Sequence, residues 1–338
     1  MNLIVEVPMV SRLLFSCSIG LLSFSVFATE VKSSSDAKVS PVDIVNQMEA
    51  NGSHTGFRRN HAKGLCVEGI FKGTKEAREL SSSNIFSASA VEVIGRFSNP
   101  GPNPNSPDNA PMPRGFAMQF RPSKGASSNM SMLDVPLFSV NTPEAFLELL
   151  KVKTPEQVAA FKEKHPESAP FFAFIKDFGV PQSYATVDYH SLHAFKFTNK
   201  KGKEQFVRWN FISDQGNHFL TVDQAKAKSA DFLSKTLEEE LKKGPVTWKM
   251  EAILAKDGDS LTDPTVEWKG EHKKVQLGML TIKKTSGNGS SNCDLINYDP
   301  NNLAEGIAPS DDQILRFRSP AYAISFGKRV SEQAQKKQ

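Results

Sequence analysis

A lone histidine stands among positive charges near the start of the chain, in the segment Arg58-Arg59-Asn60-His61-Ala62-Lys63-Gly64. Neighbouring cations lower the pKa of an imidazole and favour the neutral ring, which can accept a proton. His61 is therefore a candidate general base. Taken alone, such a segment is more often an exposed basic turn.

A second arginine-containing segment is Arg96-Phe97-Ser98, followed after a proline-rich stretch by Pro113-Arg114-Gly115-Phe116-Ala117. An arginine in a strand can pair with an anionic group of a ligand. An ordinary arginine at the rim of a barrel is the simpler interpretation of this segment by itself.

Near the end of the chain, Arg318 and Tyr322 are four residues apart. On a helix this spacing places the guanidinium beside the phenol. A neighbouring cation favours the phenolate, and phenolate is a hard anionic ligand for ferric iron. Considered alone, a packed tyrosine with a hydrogen-bonded hydroxyl is the better interpretation.

Several common sites are absent from the sequence: a Walker loop, a Gly-x-Gly-x-x-Gly dinucleotide motif, a Gly-x-Ser-x-Gly elbow and a His-Glu-x-x-His zinc motif. His190 and His193 would lie on opposite faces of a strand. We therefore expect no zinc site there, and assign both histidines to surface or core positions.

Composition indicates a folded protein, since 39% of the 338 residues are hydrophobic and 23% are charged. A net charge of +4 gives no case for nucleic-acid binding. The 24 phenylalanines, against 4 tyrosines and 3 tryptophans, suit a large apolar core or pocket.

Residues 1–28 have the form of a secretory signal peptide, with a basic residue, a long apolar run and the step Val26-Phe27-Ala28. An uncleaved membrane anchor is the less favoured alternative. We expect a flexible lead-in over 29–40 and a single domain over 41–338. The mature protein would be secreted, or periplasmic in a host with an outer membrane, with no membrane partner.

Two cysteines, Cys66 and Cys293, remain once the leader with Cys17 is removed. An oxidising compartment allows a disulfide between them, and buried free thiols are an equal alternative.

The order of elements favours an α+β protein with an antiparallel sheet, because strands, then helices, then strands follow one another without alternation. Helices are predicted from cap, proline and glycine signals at 41–52, from 142, from 154, at 169–178, at 223–243 and at 310–327 with an interruption at Pro320. Strands are predicted within 65–122 and at 193–199, 204–212, 246–256 and 275–284, with a loop at 98–114.

In combination the segments are more specific than any is alone. Arg-x-x-His-Ala-Lys-Gly, Arg-Phe-Ser, Pro-Arg-Gly-Phe-Ala and Arg-x-x-x-Tyr, in that order, resemble the haem catalase family. Segments 191–197, 214–216, 268–280 and 298–310 extend the resemblance, which covers about 45 to 330. The fold it implies is a catalase-like antiparallel β-barrel with flanking helices.

The resemblance also implies site roles. His61 matches the distal histidine that acts as general base on peroxide, and Ser98 matches the serine that orients it. Tyr322 matches the proximal tyrosinate that binds iron, and Arg318 matches the arginine that keeps it ionised. The arginines that neutralise the haem propionates are matched by Arg58, Arg96 and Arg329, and the expected apolar entrance includes Phe138 and Phe146.

The sequence departs from the family pattern in several places. It is shorter than ordinary catalases, so we expect neither their wrapping segment nor their flavodoxin-like domain, as in small catalase-related peroxidases. Asp134 stands where a distal asparagine is expected, and Asn60 replaces a small apolar residue above the haem. Thr186 is interpreted as replacing a histidine of the proximal network, with Asp312 retained.

The expected function is a haem b peroxidase that reduces hydrogen peroxide or organic hydroperoxides with a small organic electron donor, with weak catalase activity. Two alternatives stay open: a haem enzyme that rearranges fatty-acid hydroperoxides, as in allene oxide synthesis, and an exported haem carrier without turnover. The sequence does not decide whether the protein forms a homo-oligomer.

Overall fold

The computed structural model describes residues 39–287 and 291–336, so the predicted signal peptide and nearly all of the lead-in lie outside the described residues. The helices are α1 (Pro41–Ala50), α2 (Lys75–Leu80), α3 (Pro143–Lys151), α4 (Pro155–Lys164), α5 (Ala169–Ile175), α6 (Val222–Lys226), α7 (Phe232–Lys243), α8 (Ser291–Asp294) and α9 (Gln313–Gln335). The strands are β1 (Gly64–Gly73), β2 (Val91–Ser98), β3 (Gly115–Arg121), β4 (Ser128–Leu133), β5 (Val180–Pro181), β6 (Tyr189–His190), β7 (Phe195–Thr198), β8 (Glu204–Ser213), β9 (Phe219–Leu220), β10 (Val246–Leu254), β11 (Lys274–Gly287) and β12 (Ile307–Pro309).

Eight of the strands close into an antiparallel barrel. They pair in the order β10-β11-β1-β2-β3-β4-β6-β8, and β8 pairs with β10 to complete the ring. Strand β7 extends from β8 and carries β12, whereas β5 and β9 form a separate pair. Each of the eight strands is paired on both sides, although β4 meets β6 only at Leu133 and His190. The predicted α+β class with an antiparallel barrel is confirmed.

Aromatic side chains fill the barrel interior, which accounts for much of the phenylalanine excess. Phe97 and Phe116 stack with ring centroids 4.1 Å apart, and Trp248 lies beside both. All three are buried. Offset stacking of this kind adds to the stabilisation from burial, and it fixes strands β2 and β3 beside each other.

Helix starts follow the cap signals in the sequence. The side chains of Ser40, Thr142 and Thr154 each accept a backbone hydrogen bond at the N-terminus of α1, α3 and α4, with proline in the first turn. Helix α3 matters for the site, because it places its apolar face against the cavity described below.

Two predicted helices differ from the structure. The predicted helix at 223–243 is divided into α6 and α7, because Ala230 leaves the helix and its carbonyl accepts hydrogen bonds from Lys63 and the Asp108 backbone. The predicted interruption at Pro320 is wrong, since α9 continues through it. Packing of α9 against the rest of the protein compensates for the one backbone hydrogen bond that Pro320 removes.

Cys66 and Cys293, separated by 227 positions, form a disulfide. Of the two alternatives for these cysteines, the structure therefore has the bonded one. Among the described helices, none combines the length and apolarity needed to cross a membrane.

Candidate active site

His61 is held in an unusual backbone conformation between α1 and β1. Its φ is 56°, in the left-handed region that non-glycine residues rarely adopt. The amide nitrogen of His61 donates to Asn60 Oδ1 at 2.9 Å, and its carbonyl accepts from Arg96 Nη1 at 2.9 Å. Hydrogen bonds at both ends of the residue therefore offset the backbone strain and fix the direction of the imidazole.

Ser98 fixes the imidazole ring itself. Ser98 Oγ and His61 Nδ1 lie 3.0 Å apart, and Ser98 and Arg96 share one face of β2 because side chains alternate along a strand. Gly115 is paired with Ser98 across the sheet. A Cβ atom on Gly115 would lie 2.7 Å from Ser98 Oγ and 3.0 Å from His61 Nδ1, so only glycine leaves room for the pair.

Burial and charge keep the His61 ring neutral. Removal from water, followed by the nearby guanidinium groups of Arg96, Arg318 and Arg58, lowers the pKa of His61 to about 3. With Nδ1 engaged by Ser98, the ring nitrogen left for a ligand is Nε2. The ring is therefore neutral over the whole neutral pH range.

A chain of four side chains, which we call the proximal chain, lies on α9 and the segment before β7. It consists of Asp312, His193, Arg318 and Tyr322. Asp312 Oδ2 and His193 Nδ1 are 2.6 Å apart, Arg318 Nη1 and His193 Nε2 are 3.2 Å apart, and Arg318 Nη2 donates to the Tyr322 hydroxyl at 2.8 Å.

The protonation pattern of the proximal chain follows from its donors. Because Arg318 can only donate, His193 Nε2 must accept, and the ring proton sits on Nδ1 facing Asp312. Burial lowers the pKa of His193, against the opposing effect of Asp312, which agrees with a neutral ring. Asp312 also caps α9 through the Ile314 and Leu315 amides, so the carboxylate ties the start of the helix to the chain.

Three arginines, Arg58, Arg96 and Arg329, form what we call the arginine cluster. Arg58 donates to the carbonyls of Cys293 and Ile296 at 3.2 and 3.0 Å, and Arg329 donates to the Asp294 carbonyl.

The cluster holds more positive charge than its protein partners neutralise. Burial and repulsion by Arg58 lower the pKa of Arg96 to about 9, and burial lowers that of Arg329 to about 10. Its nearest carboxylate belongs to Asp294, whose Oδ1 lies 3.9 Å from Arg96 Nε. Arg58 Nε and Arg329 Nη2 are buried and have no hydrogen-bond partner within the described chain.

A cavity with about 1300 Å³ of space between protein atoms, counting its mouth, joins these groups. Every predicted site residue lines it: Arg58, His61, Arg96, Ser98, Phe138, Phe146, Arg318, Tyr322 and Arg329. Most of the remaining wall is apolar and includes Ile44, Val45 and Met48 of α1, Pro143 of α3, and Phe317 and Phe326 of α9. The cavity therefore has an imidazole, a phenol and cations on an otherwise apolar wall.

These residues fit a haem group. Apolar walls suit the faces of a porphyrin, and the phenol oxygen is a ligand that ferric iron accepts. The two buried guanidinium nitrogens without partners call for anionic oxygens, which the propionates of a haem carry. Tyr322, Arg58 and Arg329 are the residues that would hold it.

Two interpretations concern positions where the sequence departs from the catalase family pattern, Thr186 and Asp134. The interpretation of Thr186 as a replacement in the proximal network is wrong, because its hydroxyl bonds the Ser183 and His218 carbonyls instead. Asp134 does not line the cavity; its Oδ1 accepts from the Arg114 amide at 2.6 Å.

The residue that sequence reasoning missed is His193. Its neighbour Leu192 has a φ of 66°, so the chain is not a continuous strand from 190 to 193 and the alternation argument does not apply. A signal was present, since the ordered segment Ser191-Leu192-His193-Ala194-Phe195 had already been matched to the family.

Comparisons with known proteins agree with this site and fold. The catalase family model matches residues 45–336. The chain is 39% identical over 302 residues to a catalase-related peroxidase of Synechococcus elongatus, covering 86% of this chain and 89% of the relative. It is 34% identical over 280 residues to a catalase-related peroxidase of Mycolicibacterium paratuberculosis, covering 81% and 89%.

Solved catalase structures share the fold. A bacterial catalase superposes with a TM-score of 0.74 at 21% identity, over 95% of this chain and 68% of that one. A fungal catalase gives a TM-score of 0.75 at 21% identity over 84% of this chain, which spans about 61% of the fungal chain. With the family model matched over nearly all described residues, the chain belongs to the catalase family.

Proposed function

We propose that the protein is a haem-dependent peroxidase that reduces hydrogen peroxide or organic hydroperoxides with a small organic electron donor. The observation that carries the proposal is one cavity lined by the His61–Ser98 pair, by the Tyr322–Arg318 pair and by the arginine cluster. Membership of the catalase family and the two catalase-related peroxidases among its relatives support a reaction on peroxide.

The proton is handled by His61. The proposed tautomer of the neutral ring carries its proton on Nδ1 and donates to Ser98 Oγ, which leaves Nε2 free for a peroxide in the cavity. Nε2 would take the proton from one oxygen of the peroxide and return it to the other, which leaves. This transfer assists heterolysis of the O–O bond. Bound haem supplies the iron redox chemistry that no side chain of the cavity can provide.

Tyr322 is the proposed iron ligand and would hold a bound haem through its phenol oxygen. The guanidinium of Arg318 donates a charge-assisted hydrogen bond to that oxygen at 2.8 Å, which fixes its position. His193 accepts a hydrogen bond from that guanidinium and is itself held by Asp312. An anionic ligand with a fixed orientation directs electron density towards the iron.

The arginine cluster is the proposed propionate site. Arg58 Nε and Arg329 Nη2 supply donors that have no partner among the described residues, and two carboxylates would relieve the cation repulsion within the cluster. We propose haem b, since a non-covalent porphyrin with two propionates matches this donor set.

A second candidate function is the rearrangement of fatty-acid hydroperoxides without a reductant. The apolar wall favours it, because Phe138 and Phe146 pack against each other with centroids 5.6 Å apart and α1 adds Ile44, Val45 and Met48. Product analysis with a lipid hydroperoxide and no reductant separates the two functions.

We also propose that the protein is exported. The form of residues 1–28 supports this, and so does the Cys66–Cys293 disulfide, because such bonds persist in oxidising compartments. Mass spectrometry of the native N-terminus tests it. A mature chain that begins near residue 29 agrees with the proposal, and an intact Met1 contradicts it.

The function is tested with the haem-reconstituted protein and two single substitutions. Tyr322→Phe should change the absorption spectrum, because the oxygen ligand is lost. His61→Ala should keep the spectrum while peroxide turnover with an organic reductant falls by about a hundredfold or more. A wild-type protein that takes up no haem, or a His61→Ala protein with unchanged turnover, contradicts the proposal.

A further inference from the structure

The short helix α8 and the residues just after it supply backbone acceptors for two arginines of the cluster, Arg58 and Arg329. The Cys293 and Ile296 carbonyls accept from Arg58, and the Asp294 carbonyl accepts from Arg329. We call residues 293–296 the acceptor segment. Its position decides where the two guanidinium groups are held and where their free N–H groups point.

The acceptor segment has little secondary structure to hold it in place. Helix α8 has four residues, far fewer than an isolated helix needs to be stable. Helix α8 packs mainly against β1 and β2. The small apolar cluster there includes Ile94, Ile296 and Tyr298. Leu295, which lies between Asp294 and Ile296 in the sequence, is 62% exposed and therefore does little to anchor the segment.

Besides the main chain that follows β11, the Cys66–Cys293 disulfide is the one covalent link between this segment and the barrel wall within the described chain. Cys66 lies on β1 directly opposite Arg96 on β2. One end of the bond therefore sits beside one arginine of the cluster, and the other end belongs to a residue whose carbonyl holds a second arginine.

Strand β1 itself does not need the bond. It pairs along its length with β2 on one side and with β11 on the other, inside a closed barrel. The positional constraint that the disulfide adds to the folded protein therefore acts on the chain around Cys293. A role in general fold stability would not require the bond to sit at the arginine cluster.

We propose that the Cys66–Cys293 disulfide is a positioning element for the haem propionates. It keeps the acceptor segment against the barrel wall, so that Arg58 and Arg329 present Arg58 Nε and Arg329 Nη2 as a preformed anion site. The inference rests on the proposed haem-binding function. Loss of the bond loosens the segment, and the haem then dissociates faster.

The test compares the wild-type holoprotein with the double variant Cys66→Ser/Cys293→Ser. Haem transfer to excess apomyoglobin, followed in the Soret region, should be about tenfold faster for the variant. Dithiothreitol should accelerate transfer from the wild type by a similar factor and leave the variant unchanged. The double variant Cys66→Ala/Cys293→Ala is the matched control, and the same acceleration there assigns the effect to the lost bond.

A second measurement does not depend on haem. In the haem-free variant, amide hydrogen exchange in 291–298 should be about tenfold faster, whereas exchange in β2 (Val91–Ser98) should stay unchanged. Equal acceleration in both regions, or unchanged exchange together with unchanged haem transfer, overturns the inference. If the wild type takes up no haem, the proposed function fails, and the exchange result still decides whether the bond holds the segment.

Discussion

The proximal chain, through Arg318 and Tyr322, lines the same cavity as the arginine cluster, but the hydrogen bonds of the two groups are completed in opposite ways. In the proximal chain, Asp312 meets His193 and two backbone amides, and both residues are almost fully buried. In the arginine cluster, Arg58 and Arg329 each keep a buried nitrogen without a partner in the described chain.

The difference separates two kinds of preorganisation. The proximal chain is complete within the protein, so its geometry is set before any ligand arrives. The arginine cluster is complete only with an added anion, and until then its unsatisfied donors and crowded charges cost stability. Removing a charge should therefore destabilise the haem-free protein in the first region and not in the second.

The largest effect is expected from Asp312→Asn. An amide cannot accept from His193 and cap α9 equally well. Hydrogen bonds to a charged group contribute about 1.5–3 kcal/mol each, so weakening two of them costs about 3–5 kcal/mol. Chemical denaturation of the haem-free protein measures this cost.

The matched control for that substitution is its neighbour, Asp311→Asn. The Asp311 side chain is 91% exposed and forms a surface ion pair with Arg316, so its loss should change stability by less than about 1 kcal/mol. Equal effects of the two substitutions would show that the proximal chain is not held by its carboxylate.

A third buried titratable group, Asp134, extends the comparison to the pH dependence of stability. Burial raises the pKa of Asp134 to about 7, despite the hydrogen bond from the Arg114 amide, and its Oδ2 has no partner within the described chain. The folded protein then holds a proton that the unfolded chain has lost. Stability from this group is therefore present below about pH 4 and is lost as the pH rises to about 7.

Asp134→Asn should remove this dependence. At pH 8 the variant should be more stable than the wild type by about 4 kcal/mol, and at pH 3 the two should be nearly equal. Peroxide turnover should not change, because Asp134 does not line the cavity. Parallel stability curves for the two proteins from pH 3 to pH 8 would contradict the assignment.

The sequence predicts the two ends of the site better than its middle. His61 and Tyr322 sit in short ordered motifs, and capped helices such as α3 begin where a threonine and a proline place them. The role of His193 depends on Leu192 leaving the strand conformation, which is a tertiary effect that no local propensity encodes.

The arginine cluster shows a second limit of sequence reasoning. Arg58, Arg96 and Arg329 are predicted by resemblance, but the carbonyls that hold Arg58 and Arg329 belong to a short segment without strong helix signals. The disulfide that ties this segment to β1 spans 227 positions, and no spacing rule distinguishes it from two free thiols.

On the distal side, Gly115→Ala tests a site that depends on space and not on charge. A Cβ atom there would press on Ser98 Oγ at 2.7 Å and on the His61 ring, so the imidazole must turn. Turnover should fall by about 10- to 100-fold, since general-base catalysis is worth about 10²–10⁴-fold when fully aligned. Gly327→Ala on α9 is the control. A Cβ atom added there would meet no described atom within 4 Å outside its own stretch of helix, so this variant should keep full turnover.

The smallest and most discriminating effect is expected from Arg329→Met, because its two consequences have opposite signs. The haem-free variant should be more stable by about 1 kcal/mol, since a buried donor without a partner disappears and the apolar stem is kept. The holoprotein should lose haem about tenfold faster, because a propionate partner is missing. Thermal unfolding with and without haem measures both changes.

Lys328→Met is the control for Arg329→Met, since it removes the same charge from the adjacent residue. Lys328 is paired with Glu49 at 2.8 Å and is 37% exposed, so it contributes to a surface ion pair and not to the cluster. Its loss should slightly destabilise the haem-free protein and leave haem release unchanged. If Arg329→Met instead destabilised both forms, the arginine cluster would be complete without an anion, and the contrast with the proximal chain would disappear.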